Sequence, residues 1–156
     1  GIDELMLMGD LVWIGAGPIG PKDGRVALYP RERLGALWSG PDPGYEPDDV
    51  GTAILETLDA KGASFFHDIY PAAGGGDPEV ILDALWTLVW AGHVTNDTFA
   101  PVRAYVARRG GGLSGKPNLS NRFPAHAQGR WSLTRSLLGS SPDPTSRSVQ
   151  ARSGPW

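Results

Sequence analysis

The chain has 156 residues, 40% hydrophobic and 20% charged, with a net charge of −3 and no cysteine. That length predicts one domain or two small ones, and the missing thiols exclude a disulfide scaffold, a Cys-bound zinc and a cysteine nucleophile. No apolar run reaches the ~18 residues of a membrane span, and 22 Gly with 14 Pro predict a chain only part of which packs.

Residues 2–8 read as the last turns of a helix stopped by Gly9. With Gly rather than Met at position 1 and no signal segment, the chain is expected to be a piece of something longer. Leu11–Ile14 is a short apolar run suited to a buried strand, 15–24 are turn residues, and Arg25–Tyr29 is a second strand. A helix followed by such a hairpin is the back half of a winged helix. Residues 39–49, with three Pro, two Gly and four acids, read as a linker.

Asp48 and Asp49 are placed to cap a helix over 50–61 that buries Ile54, Leu55 and Leu58 and ends at Gly62. Ser64 is placed to cap a short second helix, Phe65–Ala72. Asp77-Pro78 opens a third, to Ala91, with Ile81, Leu82, Leu85, Leu88 and Val89 opposite Asp83 and Thr87. A turn at Asn96-Asp97 and a strand over Val102–Val106 follow. Three helices and a hairpin make a complete winged helix over 50–107. From Arg108 the composition turns to Gly, Ser, Pro and Arg, and 108–156 are expected to be mostly disordered apart from an island at Gly129–Leu133.

Two glycine-rich motifs fail on their chemistry. Gly110–Pro117 nearly matches a P-loop, but Pro117 offers neither a hydroxyl for Mg²⁺ nor an N–H. Gly15–Gly20 fits a dinucleotide fingerprint, but a strand follows it where a helix is needed. His67, His93 and His126 have no metal-ligand spacing. Asp97 reads as a turn residue, and Trp86 and Trp90 as packing residues.

Charge is unevenly spread. Residues 1–100 hold 16 acids and 5 bases, whereas 101–156 hold one acid, Asp143, and 9 bases. Over 51–100, the third helix included, seven acids face one base, Lys61. The helix that reads the major groove in a winged helix therefore meets repulsion from phosphate. The basic C-terminal part suits a polyanion better. Arg103, Arg108, Arg109, Lys116, Arg122, Arg130 and Arg135 are the expected DNA-binding cations, with Phe123 and Trp131 for base stacking.

The stretches Gly62–Phe66, Ala84–Asp97 (ALWTLVWAGHVTND) and Phe99–Arg103 resemble the C-terminal region of the large helicase-related (Lhr) family of superfamily 2 ATP-dependent DNA helicases. Asp3–Leu5, Gly9–Gly15, Asp23–Tyr29 and Gly129–Leu133 are similar to flanking stretches of the same region. The resemblance covers residues 3–133. It implies a bacterial, cytoplasmic, nucleoid-associated parent that translocates on single-stranded DNA and unwinds duplexes, including RNA:DNA hybrids. ATP and Mg would bind only motor domains absent from this chain, and no Walker A or D-E-x-H box is found in it. The resemblance also brings a tandem winged-helix glycosylase into view, without a catalytic residue that transfers.

The expected fold is α+β: the end of one winged helix (1–38), a linker (39–49), a complete winged helix (50–107) and a basic tail (108–156). The expected role is an accessory DNA-binding and assembly segment of the helicase, not catalytic alone and without cofactor or metal. Its partners are nucleic acid and the rest of the parent, with self-association as a further one. A glycosylase domain acting on damaged or uracil-containing DNA and a structural oligomerisation module are the alternatives.

Overall fold

The computed structural model describes residues 4, 6, 9–19, 24–109 and 123–138, with residues 108 and 109 described in backbone only. Its mixed α+β arrangement contains several short helices and two small antiparallel sheets. The expectations on Gly110–Pro117, Lys116, Arg122 and 139–156 fall outside the described residues.

Strands β1 (Leu11–Pro18) and β2 (Gly24–Pro30) pair antiparallel, Trp13 opposite Leu28, with an irregularity between Gly15 and Pro18. The strand thus extends through residues expected to turn. Val12 to Gly15 are all buried, because both faces of β1 are covered. Trp13 enters the main core, whereas Val12 and Ile14 meet Leu34 of the short helix α1 (Leu34–Leu37). A strand covered on both faces reads as a continuous apolar run, as Leu11–Ile14 does.

Helix α2 (Asp49–Lys61) starts where the Asp48 carboxylate accepts from the Gly51 N–H (2.8 Å) and stops at Gly62. Ser64 does not cap the next helix. It lies buried in β3 (Ser64–Phe65), and Phe65 is the N-cap of α3 (Phe66–Ala72). Asp77 caps α4 (Pro78–Trp90) through the Glu79 N–H, with Pro78 at the first helical position. β4 (Val94–Asn96) follows.

The segment expected as a strand, Val102–Val106, is helical, inside α5 (Ala100–Arg109). Its buried residues Val102 and Tyr105 are three apart, a helical and not an alternating spacing. The third strand is β5 (Arg130–Leu133), from the island expected within the tail. It lies between the other two, in the order β3-β5-β4, with Ser64 opposite Trp131 and Val94 opposite Leu133. A last short helix, α6 (Arg135–Leu138), closes the described residues. So residues 123–138, expected in a mostly disordered tail, form ordered structure, because Ala127, Trp131 and Leu133 are core residues. The order of helices and strands is consistent with a winged-helix-like fold.

Helix α4 is the centre of the core. Seven of its 13 residues are buried, and its exposed side chains are Glu79, Val80, Asp83 and Thr87. A helix this apolar must be covered on most sides. α2 packs on one side and the β1–β2 hairpin on another. Trp13 stacks on Trp86 (6.5 Å, 18°), and Trp86 also meets Trp90, Tyr105 and Trp131. The indoles of Trp13, Trp86 and Trp131 each find an acceptor, as a desolvated N–H must: Trp13 donates to the Thr98 carbonyl (2.8 Å), Trp86 to the His126 carbonyl (3.0 Å) and Trp131 to the Ala127 carbonyl (3.1 Å). The hairpin approaches so closely that a Cβ on Gly15 would lie 2.0 Å from the Val89 carbonyl oxygen. The 39–48 segment is fastened as well. Its Asp42 N–H donates to the Ala91 carbonyl (2.9 Å), and Tyr45 packs on His93.

Candidate nucleic-acid interface

The turn after β4 is a hydrogen-bonded clamp. The buried Asn96 side chain donates to the Gln128 carbonyl (3.0 Å) and accepts from the Thr98 N–H (3.0 Å). Thr98 in turn accepts from the Ala100 N–H (3.3 Å) at the start of α5. The Asp97 carboxylate takes the Arg130 N–H (2.9 Å) on one oxygen and the Arg130 Nε (3.1 Å) on the other. With both oxygens occupied, Asp97 is a fastener of β5. Gly129 completes the clamp with φ +83°, and a Cβ there would meet the Asn96 amide oxygen at 2.3 Å. Only glycine suits that position.

Two cavities flank the Gln128–Gly129 ridge. One, about 280 Å³, is lined by Met6, Thr98, Phe99, Ala100 and Arg103. The other, about 230 Å³, is lined by Phe65, Phe66, His67, Phe123, Pro124 and Ala127. Both share Gln128 and Gly129. The Arg103 guanidinium carbon lies 5.2 Å from the Phe99 ring centre, a cation–π distance.

The expected DNA-binding residues divide sharply. Arg103 is exposed on α5, and Arg108 and Arg109 lie on the same helix. Arg130 is exposed and paired with Asp97, while Arg135 is exposed and paired with Asp59 (3.0 Å). Such pairs are weak and screened by salt. Trp131 is a correction: it is 0% exposed, its indole fills the sheet–helix core, and no base can stack on it. Phe123 is half-buried, edge-on to Phe66 (4.9 Å). The exposed aromatic of this surface is Phe65, which the expectation missed. It lies parallel to His67, 5.6 Å apart and 6° from coplanar. The alternation Ser64 in, Phe65 out was the available signal.

Burial lowers the pKa of His93 below its ordinary value, with Arg135 adding to this and Asp42 opposing it. Burial, with the nearby Asp48 charge, raises that of Tyr45. Among the described residues no group of three His, Asp or Glu is placed to hold a metal, and no helix is long and apolar enough to cross a membrane.

No family model matches the chain. It is 39% identical over 164 aligned positions, 94% of its length, to the "Lhr helicase/probable uracil glycosylase" of Mycolicibacterium smegmatis. It is 30% identical, over 85% of its length, to the "Lhr helicase/uracil glycosylase" of Escherichia coli. The matched part is 11% of the first protein and 10% of the second, so the chain spans about a tenth of the length of these curated relatives. The chain is thus homologous to a small part of bacterial Lhr helicase/uracil glycosylase proteins, consistent with a C-terminal region of that family.

Proposed function

We propose that this chain is a winged-helix-like segment of an Lhr-type ATP-dependent DNA helicase, serving as an accessory module for nucleic-acid engagement and assembly. The motor would lie elsewhere in the longer protein. The 39% identity over nearly the whole chain supports the family part of this reading. The sealing of α4 carries the mode of engagement. With the β1–β2 hairpin seated on Val89 and Trp90, and Glu79 and Asp83 among the few exposed side chains, this helix offers a major groove acidic and not cationic groups. Phosphate contact then falls to the cations of α5 (Arg103, Arg108 and Arg109) and to Lys116, Arg122, Arg130 and Arg135.

Removing residues 108–156 would take β5 out of the sheet, so substitutions make the better test. Fluorescence anisotropy on labelled DNA across a salt series is expected to show weak, steeply salt-dependent, sequence-independent binding. Replacing Arg103, Arg108 and Arg109 by Ala should reduce the salt slope by about 2 on single strands, at roughly 0.7 per phosphate contact. Asp83→Ala with Thr87→Ala should weaken nothing. The reading fails if the α4 pair abolishes binding and the arginine triple does not. Both relatives' names also carry a uracil glycosylase, which favours a second reading as part of a glycosylase unit. Cleavage of uracil-containing DNA by the isolated chain would support it.

A further inference from the structure

The pleat of β3 sends Ser64 into the core and Phe65 outward, where the residue is 46% exposed. An aromatic ring that open is costly in water, yet this one is held in a fixed orientation. It stacks parallel on His67, and its backbone pairs with Arg130 of β5. The cavity beside it has Phe66 and Phe123 as apolar walls and Gln128 at its rim. The Gln128 side-chain nitrogen donates to the Ala125 carbonyl (2.7 Å), leaving the amide oxygen without a partner among the described residues. Across the Gln128–Gly129 ridge lies the second cavity, with Arg103 over Phe99.

We propose that the Phe65–His67 pair is a stacking platform for one unpaired base of a single-stranded nucleic acid, with Gln128 at the base edge and the backbone crossing the ridge toward Arg103. The proposal rests on the nucleic-acid reading above and says where a base is held. Three observations favour a base over a docked protein segment. About 230 Å³ suits a single ring and not the row of anchors that a docked helix presents. The platform is flat and aromatic, the surface on which any base stacks regardless of sequence. Arginine-bearing α5 lies on one side for the phosphates, while at the platform Arg130 is paired with Asp97. Stacking is therefore separable from phosphate neutralisation. A duplex base, stacked on both faces already, has no face to offer.

The test uses the full chain, a labelled thymine oligonucleotide and a duplex of equal length. Phe65→Ala should weaken single-strand binding about 5- to 140-fold, with an unchanged salt slope and unchanged duplex affinity. Phe65→Trp should retain binding. A fluorescent purine analogue in the oligonucleotide should be quenched by the parent chain and not by Phe65→Ala. Because Phe65 is exposed, the thermal midpoint should stay put, which separates a lost contact from a lost fold. If Phe65→Ala binds single strands like the parent chain while the arginine triple is weakened, the platform is refuted and the nucleic-acid reading survives. If Phe65→Ala changes only association with other protein segments, the surface is a protein-docking site and the proposal falls. If the parent chain binds no DNA, both fall together.

Discussion

Gly15→Ala tests whether the β1–β2 hairpin is seated on α4. The new methyl would lie 2.0 Å from the Val89 carbonyl oxygen and 2.9 Å from the Trp90 Cα, all backbone, so no rotamer change relieves it. Ordinary contact begins near 3.4 Å, so the strand must retreat by about 1.4 Å, enough to forfeit at least a quarter to a half of the dispersion contact on that face. Trp13 is the main casualty. A buried Trp removes about 150–250 Å² from water, worth about 4–6 kcal/mol at ~25 cal/mol per Å². Its indole bond to the Thr98 carbonyl and the Thr95 hydroxyl bond to the Trp13 carbonyl would stretch with it. With the usual cost of overpacking, the expected loss is about 2–4 kcal/mol. Gly35→Ala is the control. It lies in α1 with its nearest neighbour 3.9 Å away, and should be neutral or stabilising by up to ~1 kcal/mol. Urea titration followed by tryptophan fluorescence reads both. A Gly15→Ala midpoint equal to that of Gly35→Ala, with an unchanged native spectrum, would refute the seated hairpin.

Trp131→Ala should destabilise by about 3–5 kcal/mol in the same titration, because the indole is fully buried against Trp86; a loss under ~1 kcal/mol would contradict its place in the core. Asp97→Ala should cost more than removing a bare surface pair, since the Arg130 N–H loses its acceptor; Arg130→Ala, which keeps that bond, should cost under ~1 kcal/mol. Burial holds the His93 pKa below its ordinary value, so below about pH 6.5 the unfolded chain takes up a proton that the folded chain refuses. The His93 contribution is therefore complete above that pH and lost as pH falls. His93→Gln should flatten the dependence of the urea midpoint between neutral and mildly acidic pH, and an identical slope in the variant would exclude His93 as its source.

Helix punctuation was legible because its signals are local. Asp48, Gly62 and Asp77-Pro78 mark α2 and α4 within a residue or two of where they start and stop. The core face of α4 was legible from its 3.6-residue period, and Trp86 and Trp90 as packing residues, but the aromatic partners of Trp86 were not. They include Trp13 and Trp131, 73 and 45 residues from Trp86 in the chain. Val102–Val106 misled because a run with valines and a tyrosine favours strands locally, whereas burial of Val102 and Tyr105 against the core selects the helix. The candidate interface was half legible. The cations stand out by composition, but their neighbours Asp97 and Asp59 are brought in from afar. Trp131, expected as an accessible stacking residue, is buried and Phe65 is exposed, because β5 pairing decides which aromatic faces inward.

The place of β5 in the sheet has a kinetic consequence. The middle strand of three is the last to leave the ribosome, so β3 and β4 cannot touch a partner in their sheet until residue 130 and beyond have been made. Closing Ser64 onto Trp131 joins residues far apart in the chain, and pairings that distant in sequence slow folding. Until then two strand edges and the aromatic flank of α4 stay open, the kind of surface that captures other chains. A chain ending near residue 107 would keep α1 to α4 and most of α5 but lack the middle strand between β3 and β4, and would be expected to aggregate during expression. Refolding should likewise proceed in one late step in which the Trp86 and Trp131 environments change together.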